Sequence, residues 1–198
     1  MKVIERIFSG HLADIVSLDM SRSGGLLVSA ASDGRVIFWE VESGKSVRTL
    51  FSYSVTDIAL SLDSKHLAIA SCNKSICIVS TDTGTVYTRL SGHKDRVFWV
   101  AVKETGNGIV SVSRDGTLRV WDLISKEHLS PEETPASVDT ESEFTLHGYD
   151  VAEANALTSP DGKWVSCGAF GRGLRFWNLA NGELDTVLYG HESASTSF

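Results

Sequence analysis

The chain has 198 residues, of which 42% are hydrophobic and 22% charged, so it is long enough to bury the core of one compact unit. Its formal net charge of −7 at pH 7 excludes binding to nucleic acid or anionic lipid that depends mainly on an excess of basic charge. No apolar run of about 18 residues is present, so no transmembrane helix is predicted. Three cysteines, a small and odd number, favour a reducing, intracellular environment.

The first block of regular pattern begins at Gly10-His11 and ends at Trp39. It contains the runs IVSLDM, LLVSAASDG and RVIFWE. Apolar and polar residues alternate within these runs, and Gly, Asp or Ser separates one run from the next. This pattern is typical of antiparallel strands joined by tight turns.

Two further blocks repeat the same order. The second, VTDIALSLDSKHLAIASCNKSICIVS, has Asn73 and Val79 where the first block has aspartate and tryptophan. The third begins at Gly92-His93 and continues through VFWVAV, GIVSVSRDG and TLRVWD, which contains Trp121. It therefore matches the first block at Gly-His, at Ser-x-x-x-Asp-Gly and at tryptophan.

A fourth block, NALTSPDGKWVSCGAFGRGLRFWN, reaches Trp177 but has Gly171 in place of the turn aspartate. Positions 39, 79, 121 and 177 correspond in the four blocks, and the steps between them are 40, 42 and 56 residues. The first two steps fit a unit of four short strands. The longer last step indicates an insertion.

These blocks resemble the WD-repeat (WD40) β-propeller family, in which four-stranded sheets, or blades, ring a central channel. The resemblance covers nearly the whole chain and implies an all-β fold with about four four-stranded antiparallel blades. We expect an incomplete arc of a seven-bladed propeller, because the family more often closes with seven blades. The expected WD-repeat segment spans 1–198, with repeats at about 9–50, 51–90, 91–124 and 147–189.

The resemblance also implies a hydrogen-bonded tetrad of histidine, serine, aspartate and tryptophan in the strong blocks. The matching residues are His11, Ser29, Asp33 and Trp39 in the first block, and His93, Ser111, Asp115 and Trp121 in the third. Serine, histidine and aspartate also occur together in nucleophilic triads. The recurrence of the set in two blocks, each time with a tryptophan, favours a structural role. The blades that lack the full tetrad are expected to be less rigid.

The insertion, 125–146, is acidic and rich in serine and proline, and we expect a disordered loop there. Such a composition buries too little apolar surface to order itself. Ser130-Pro131 and Thr134-Pro135 resemble proline-directed phosphorylation sites, and a solvated spacer is the alternative.

The segments GHLADIVSLDM, LLVSAASDGRVIFW, GHKDRVFWVAV and VSVSRDGTLRVWDL resemble middle blades of the fungal Tup-type corepressors, relatives of Groucho. That resemblance implies a nuclear transcriptional corepressor scaffold that binds DNA-bound repressors, histones or the transcription machinery. The alternative is a generic intracellular WD-repeat adaptor, such as a ubiquitin-ligase substrate receptor or a cytoplasmic G-protein β-like scaffold. No phosphate loop, paired metal ligands or activated nucleophile is present, so we predict no enzyme, cofactor or metal site.

Propellers of this family bind partners mostly through the face where the turns between the second and third strands emerge. Arginine and aromatic side chains dominate interface energetics. The predicted partner-binding residues are therefore Arg96, Phe98, Arg114 and Phe170, with packing of Phe98 inside its own sheet as an alternative. We expect protein partners, no direct nucleic acid and no membrane, with self-association through open blade edges.

Overall fold

A computed structural model describes residues 7–52, 54–103, 108–123, 142, 144–147, 156–168 and 173–189. Within these ranges the chain forms strands and turns, with no helix. The strands form four four-stranded antiparallel sheets, each a meander in which strands pair in chain order. The predicted all-β fold with four such sheets is confirmed.

The first two sheets occupy the N-terminal half of the chain. Sheet 1 consists of β1 (Ile15–Met20), β2 (Leu26–Ala31), β3 (Arg35–Glu40) and β4 (Lys45–Phe51). Sheet 2 consists of β5 (Val55–Leu60), β6 (His66–Ser71), β7 (Ile76–Ser80) and β8 (Val86–Leu90).

The other two sheets follow in the same order. Sheet 3 consists of β9 (Val97–Val102), β10 (Gly108–Ser113), β11 (Thr117–Asp122) and β12 (Phe144–His147). Sheet 4 consists of β13 (Ala156–Thr158), β14 (Trp164–Gly168), β15 (Gly173–Asn178) and β16 (Leu184–Tyr189).

In sheets 1, 2 and 3, the turn between the second and third strands contains a residue with positive φ. Sheets 1 and 3 place glycine there, with φ of 78° at Gly34 and 80° at Gly116. Sheet 2 places Lys74 at the corresponding position, with φ of 72°. A side chain is disfavoured in this conformation, so Lys74 carries local strain that the two glycines avoid.

The core lies between successive sheets, where apolar strand residues of one sheet face those of the next. Val28, Val36 and Phe38 of sheet 1 pack against Ile58 and other apolar residues of sheet 2. The same arrangement joins sheet 2 to sheet 3, and sheet 3 to sheet 4. Each large side chain buried in this way contributes about 1.5–3 kcal/mol to folding.

The Asp57 carboxylate joins the first strands of sheets 1, 2 and 3. The Ser17 hydroxyl on β1 donates to Asp57 Oδ1 on β5 at 2.7 Å, and the Val100 N–H on β9 donates to Asp57 Oδ2 at 2.9 Å. Burial raises the pKa of Asp57, although these two hydrogen bonds favour its charged form. Asp57 therefore couples the register of sheets 1, 2 and 3 without an ion pair.

The outer strand of sheet 3 comes from the predicted loop. Phe144–His147 forms β12, which pairs with β11 from Thr117 to Val120. The predicted loop over 125–146 is therefore wrong at positions 144–146, and His147 belongs to sheet 3 rather than to the fourth repeat. The reason is that the free edge of β11 needs hydrogen-bond partners. Ser130 and Thr134 lie outside the described residues.

Candidate protein interface

The tetrad of sheet 3 forms one continuous set of hydrogen bonds. The indole N–H of Trp121 donates to Ser111 Oγ at 2.8 Å, and Ser111 Oγ lies 2.8 Å from His93 Nε2. His93 Nδ1 lies 3.0 Å from Asp115 Oδ2. Ser111 and Trp121 are almost fully buried, so each of these polar groups depends on the others for a partner.

Burial sets the protonation of this tetrad. Removal from water lowers the pKa of His93 to about 4, so the imidazole is neutral at pH 7. Burial acts to raise the pKa of Asp115, but hydrogen bonds from the Thr117 hydroxyl and the Lys94 N–H outweigh it and keep that pKa below its usual value. A neutral ring then donates its Nδ1–H to the carboxylate and accepts the Ser111 hydroxyl at Nε2.

This geometry suits a structural network rather than attack on a substrate. Ser111 Oγ is inaccessible to solvent and is occupied by both the histidine and the indole. A nucleophile needs an open approach to its reacting atom. In this tetrad the approach is filled by Trp121.

Sheet 1 contains the second tetrad, with the same connections. Trp39 Nε1 donates to Ser29 Oγ at 2.8 Å, and His11 Nε2 lies 2.6 Å from that oxygen. His11 Nδ1 lies 3.3 Å from both oxygens of Asp33. The link to the carboxylate is therefore longer than its 3.0 Å counterpart in sheet 3.

Sheets 2 and 4 replace the polar tetrad in different ways. In sheet 2, Ile69 and Val79 occupy the serine and tryptophan positions, and both are buried in the core shared with sheet 1. In sheet 4, Cys167 occupies the serine position beside a buried Trp177, and burial raises the pKa of its thiol to about 12. In sheet 2, both hydrogen-bond partners are replaced by apolar groups, so neither of these positions has a buried polar atom that needs a partner.

The tetrads fix the backbone at one end of the sheets. We call this end the loop face, defined by residues 11–14, 32–34, 72–75, 93–96 and 114–116 with Ser52 and Ser54. Asp115 Oδ2 accepts the Lys94 N–H at 2.7 Å, and Asp33 Oδ2 accepts the Leu12 N–H at 2.8 Å. In sheets 1 and 3, the connection before the first strand is therefore tied to the turn between the second and third strands.

A backbone hydrogen bond recurs on the loop face in three sheets and aligns their exposed positions. The bond runs from Ser32 N–H to Asp14 O, from Cys72 N–H to Ser54 O, and from Arg114 N–H to Arg96 O, each at 2.9 Å. The paired positions therefore change from acidic in sheet 1, through neutral in sheet 2, to basic in sheet 3.

The predicted partner-binding residues have different surroundings. Arg96 and Arg114 lie side by side on the loop face, where Arg114 is exposed and Arg96 half-buried. Phe98 is half-buried and packs against the core between sheets 3 and 4. Phe170 lies outside the described residues.

Neither a metal centre nor a membrane span is found in the part of the chain that the structure describes. Its His, Cys, Asp and Glu side chains form no group of three or more suited to a metal ion. No helix there is long and apolar enough to cross a membrane.

Comparison with known families agrees with the repeats and with this fold. The family described as WD domain, G-beta repeat, matches residues 2–40, 44–80 and 84–122, which is more than half of the chain. The chain belongs to the WD40 repeat family. Its sheets are WD40 blades, and the tetrads of sheets 1 and 3 lie in blades that the family match covers.

Two relatives and one solved structure illustrate the similarity of this WD40 chain to other proteins. Autophagy-related protein 16 of Arabidopsis thaliana is 27% identical over 191 residues, which cover 94% of this chain and 34% of the relative. The U3 small nucleolar RNA-associated protein 21 homolog of Schizosaccharomyces pombe is 30% identical over 163 residues, 82% of this chain and 18% of the relative. The structure of U3-55K, 23% identical, matches with a TM-score of 0.79 over 96% of this chain and 56% of that chain, and it supports the fold alone.

The WD40 chain thus spans roughly half or less of the length of these proteins. Their names refer to autophagy and to U3 small nucleolar RNA, so they do not support the predicted Tup-type corepressor resemblance. The quoted segments share with one another the residues of the tetrad, the glycines beside them and the alternating apolar runs of the strands. Such residues identify the fold rather than a subfamily.

Proposed function

We propose that this WD40 chain is a non-catalytic scaffold for protein–protein interaction and that its loop face binds the partner. The observation that carries the proposal is the backbone hydrogen bond that holds Arg96 and Arg114 side by side on a rigid blade. Arginine is enriched among the residues that dominate interface energetics. A rigid base reduces the entropy lost when such side chains become ordered on binding.

A scaffold also agrees with the chemistry of the blades. The most obvious catalytic set, the serine, histidine and aspartate of sheet 3, is committed to a buried network around Trp121. Fold alone does not determine function, so the proposal rests on the residues of the loop face.

The partner class is a finer proposal. The corepressor interpretation, with DNA-bound repressors, histones or the transcription machinery as partners in the nucleus, has no support from the relatives above. The alternative, a generic intracellular adaptor, needs no subfamily assignment and is the version that we carry forward. Three free cysteines agree with a reducing compartment, either nuclear or cytoplasmic.

The proposal is tested by affinity capture from a cell lysate with the 198-residue chain and with Arg114→Ala. We expect the captured partners to fall at least about tenfold, which corresponds to about 1.4 kcal/mol, because an arginine that acts as a hot spot costs about 2 kcal/mol or more when truncated. The thermal unfolding of the variant should match that of the wild type, because Arg114 is exposed.

Arg22→Ala is the matched control. Arg22 is exposed and lies in the turn between β1 and β2, at the opposite end of the sheets from the loop face. It should capture partners as the wild type does. Equal capture by all three proteins, or an equal loss of partner and of thermal stability in Arg114→Ala, would contradict the proposal.

A further inference from the structure

We infer that the loop face of sheets 2 and 3 takes an acidic segment of a partner protein, rich in aspartate or glutamate. This inference rests on the proposed function and adds the chemistry of the partner. The segment would lie along four cationic residues of these two sheets. They are Lys74, Lys94, Arg96 and Arg114.

The four cations lie at the same end of two neighbouring sheets. Lys74 follows β6 in sheet 2, and Arg114 follows β10 at the corresponding turn of sheet 3. Sheets 2 and 3 are joined at this end because the Thr56 hydroxyl of β5 donates to Val97 O of β9. Lys94 is exposed, and its backbone N–H donates to the Asp115 carboxylate.

None of the four cationic side chains makes an ion pair or a side-chain hydrogen bond within the described part of the chain. At the opposite end of the sheets, by contrast, Lys163 Nζ lies 3.6 Å from Asp161 Oδ2. Two carboxylates lie among these cations, and neither makes an ion pair with them. Asp95 is exposed, and its Oδ1 accepts the Arg96 N–H at 2.7 Å. The Asp115 carboxylate does not contact the four cationic side chains. It is buried and accepts hydrogen bonds from His93, Thr117 and the Lys94 N–H.

Arg96 adds a specific preference for carboxylate. Its Nε is buried and has no hydrogen-bond partner among the described residues. That atom is out of reach of a partner, so a partner carboxylate would bind the terminal nitrogens of the half-buried guanidinium through charge-assisted hydrogen bonds. Arg114 is exposed beside Arg96, and its guanidinium offers a second pair of N–H donors for a carboxylate.

A protein segment fits these cations better than nucleic acid does. The chain as a whole carries a formal charge of −7, and in sheet 1 the loop face carries Asp14 at the position of Arg96. A nucleic acid strand presents phosphates over its entire length and would be repelled beyond the four cations. A short acidic segment can end where the basic surface ends.

The test uses an array of peptides of about twelve residues that contain several glutamates, each paired with a version in which glutamine replaces every glutamate. The 198-residue chain is applied as wild type, Arg96→Gln/Arg114→Gln, and Arg22→Gln as the matched control. A labelled oligouridylate of similar length is measured in parallel. We expect the wild type and the control to bind glutamate peptides at least about tenfold better than their glutamine versions, which is about 1.4 kcal/mol. We expect the double variant to lose that preference.

Three results would overturn the inference. These are the absence of binding to glutamate peptides, binding that is equal for glutamate and glutamine, and tighter binding of oligouridylate that the double variant loses. Arg114→Glu provides a second check, because charge reversal should weaken glutamate peptides further without unfolding the chain. The scaffold proposal fails independently, when capture of partners from the lysate does not depend on Arg114.

Discussion

Replacing Ser111 by alanine tests the energetic role of the tetrad most sharply. Ser111 Oγ lies 2.8 Å from Trp121 Nε1 and 2.8 Å from His93 Nε2, and it is inaccessible to solvent. Alanine therefore leaves one buried donor and one buried acceptor unpaired. Each such group costs about 1–3 kcal/mol, so we expect the free energy of unfolding to fall by about 2–6 kcal/mol.

Urea unfolding followed by tryptophan fluorescence measures this loss, with Ser43→Ala as the control. Ser43 is exposed, and its hydroxyl accepts only the Lys45 N–H at 3.3 Å among the described contacts, so its replacement should change stability by less than about 0.5 kcal/mol. A loss below about 0.5 kcal/mol for Ser111→Ala would refute the argument, because relaxation would then have supplied new partners. A double-mutant cycle with Trp121→Phe should also show coupling, since the indole N–H is already stranded once the serine is absent.

Three further predictions concern other parts of the blades. The pKa of His93 is lowered to about 4 in the folded chain, so the unfolded chain binds more protons between pH 6.5 and 4. The free energy of unfolding should therefore fall by about 3 kcal/mol as the pH is lowered from 6.5 to 4. His93→Gln should make this decline shallower when unfolding is measured at each pH. Lys74→Gly should raise the free energy of unfolding by about 1 kcal/mol, because it removes the strain at φ 72°. Gly34→Lys should lower the free energy of unfolding, and unchanged melting temperatures would contradict both predictions. Asp57→Ala should destabilise the chain by about 1–3 kcal/mol, because the Val100 N–H loses its acceptor, whereas Asp57→Asn should retain most of the stability. Equal melting temperatures for the two variants would contradict this prediction.

The sequence was sufficient to predict most of the fold because the repeat positions have local physical causes. Aspartate and glycine at 33–34 and 115–116 form the turns, and the alternating runs between such turns form strands. Sheet 2 followed the same pattern even though Lys74 replaces the turn glycine. The pattern did not reveal β12, because Phe144–His147 follows an acidic, serine-rich stretch and becomes a strand by pairing with β11.

Contacts between sheets were harder to predict than contacts within them. Nothing in the local sequence indicates that Asp57 bonds to Ser17 of one sheet and Val100 of another. Arg48 of β4 likewise donates to Thr81 O at 3.2 Å and to Thr83 O at 2.7 Å, across 33 and 35 residues of sequence. Such bonds depend on how successive sheets are offset, which a repeat period does not specify.

The candidate interface was predicted in part. Arg96 and Arg114 were expected on the loop face and lie there, because the tetrad geometry fixes which strand positions precede the turn. Their role in binding stays a prediction. The unpartnered Nε of Arg96 was not foreseen, since the burial of a single atom depends on packing around it.

Hydrogen exchange of the chain, alone and with a partner captured by the wild type, tests the central claim most directly. Exchange reports protection of individual backbone segments on binding. We predict slower exchange at 93–96 and 113–116 in the complex, with no change in the turns at 21–25 and 61–65. Protection confined to those opposite turns would contradict the assignment of the loop face as the binding surface.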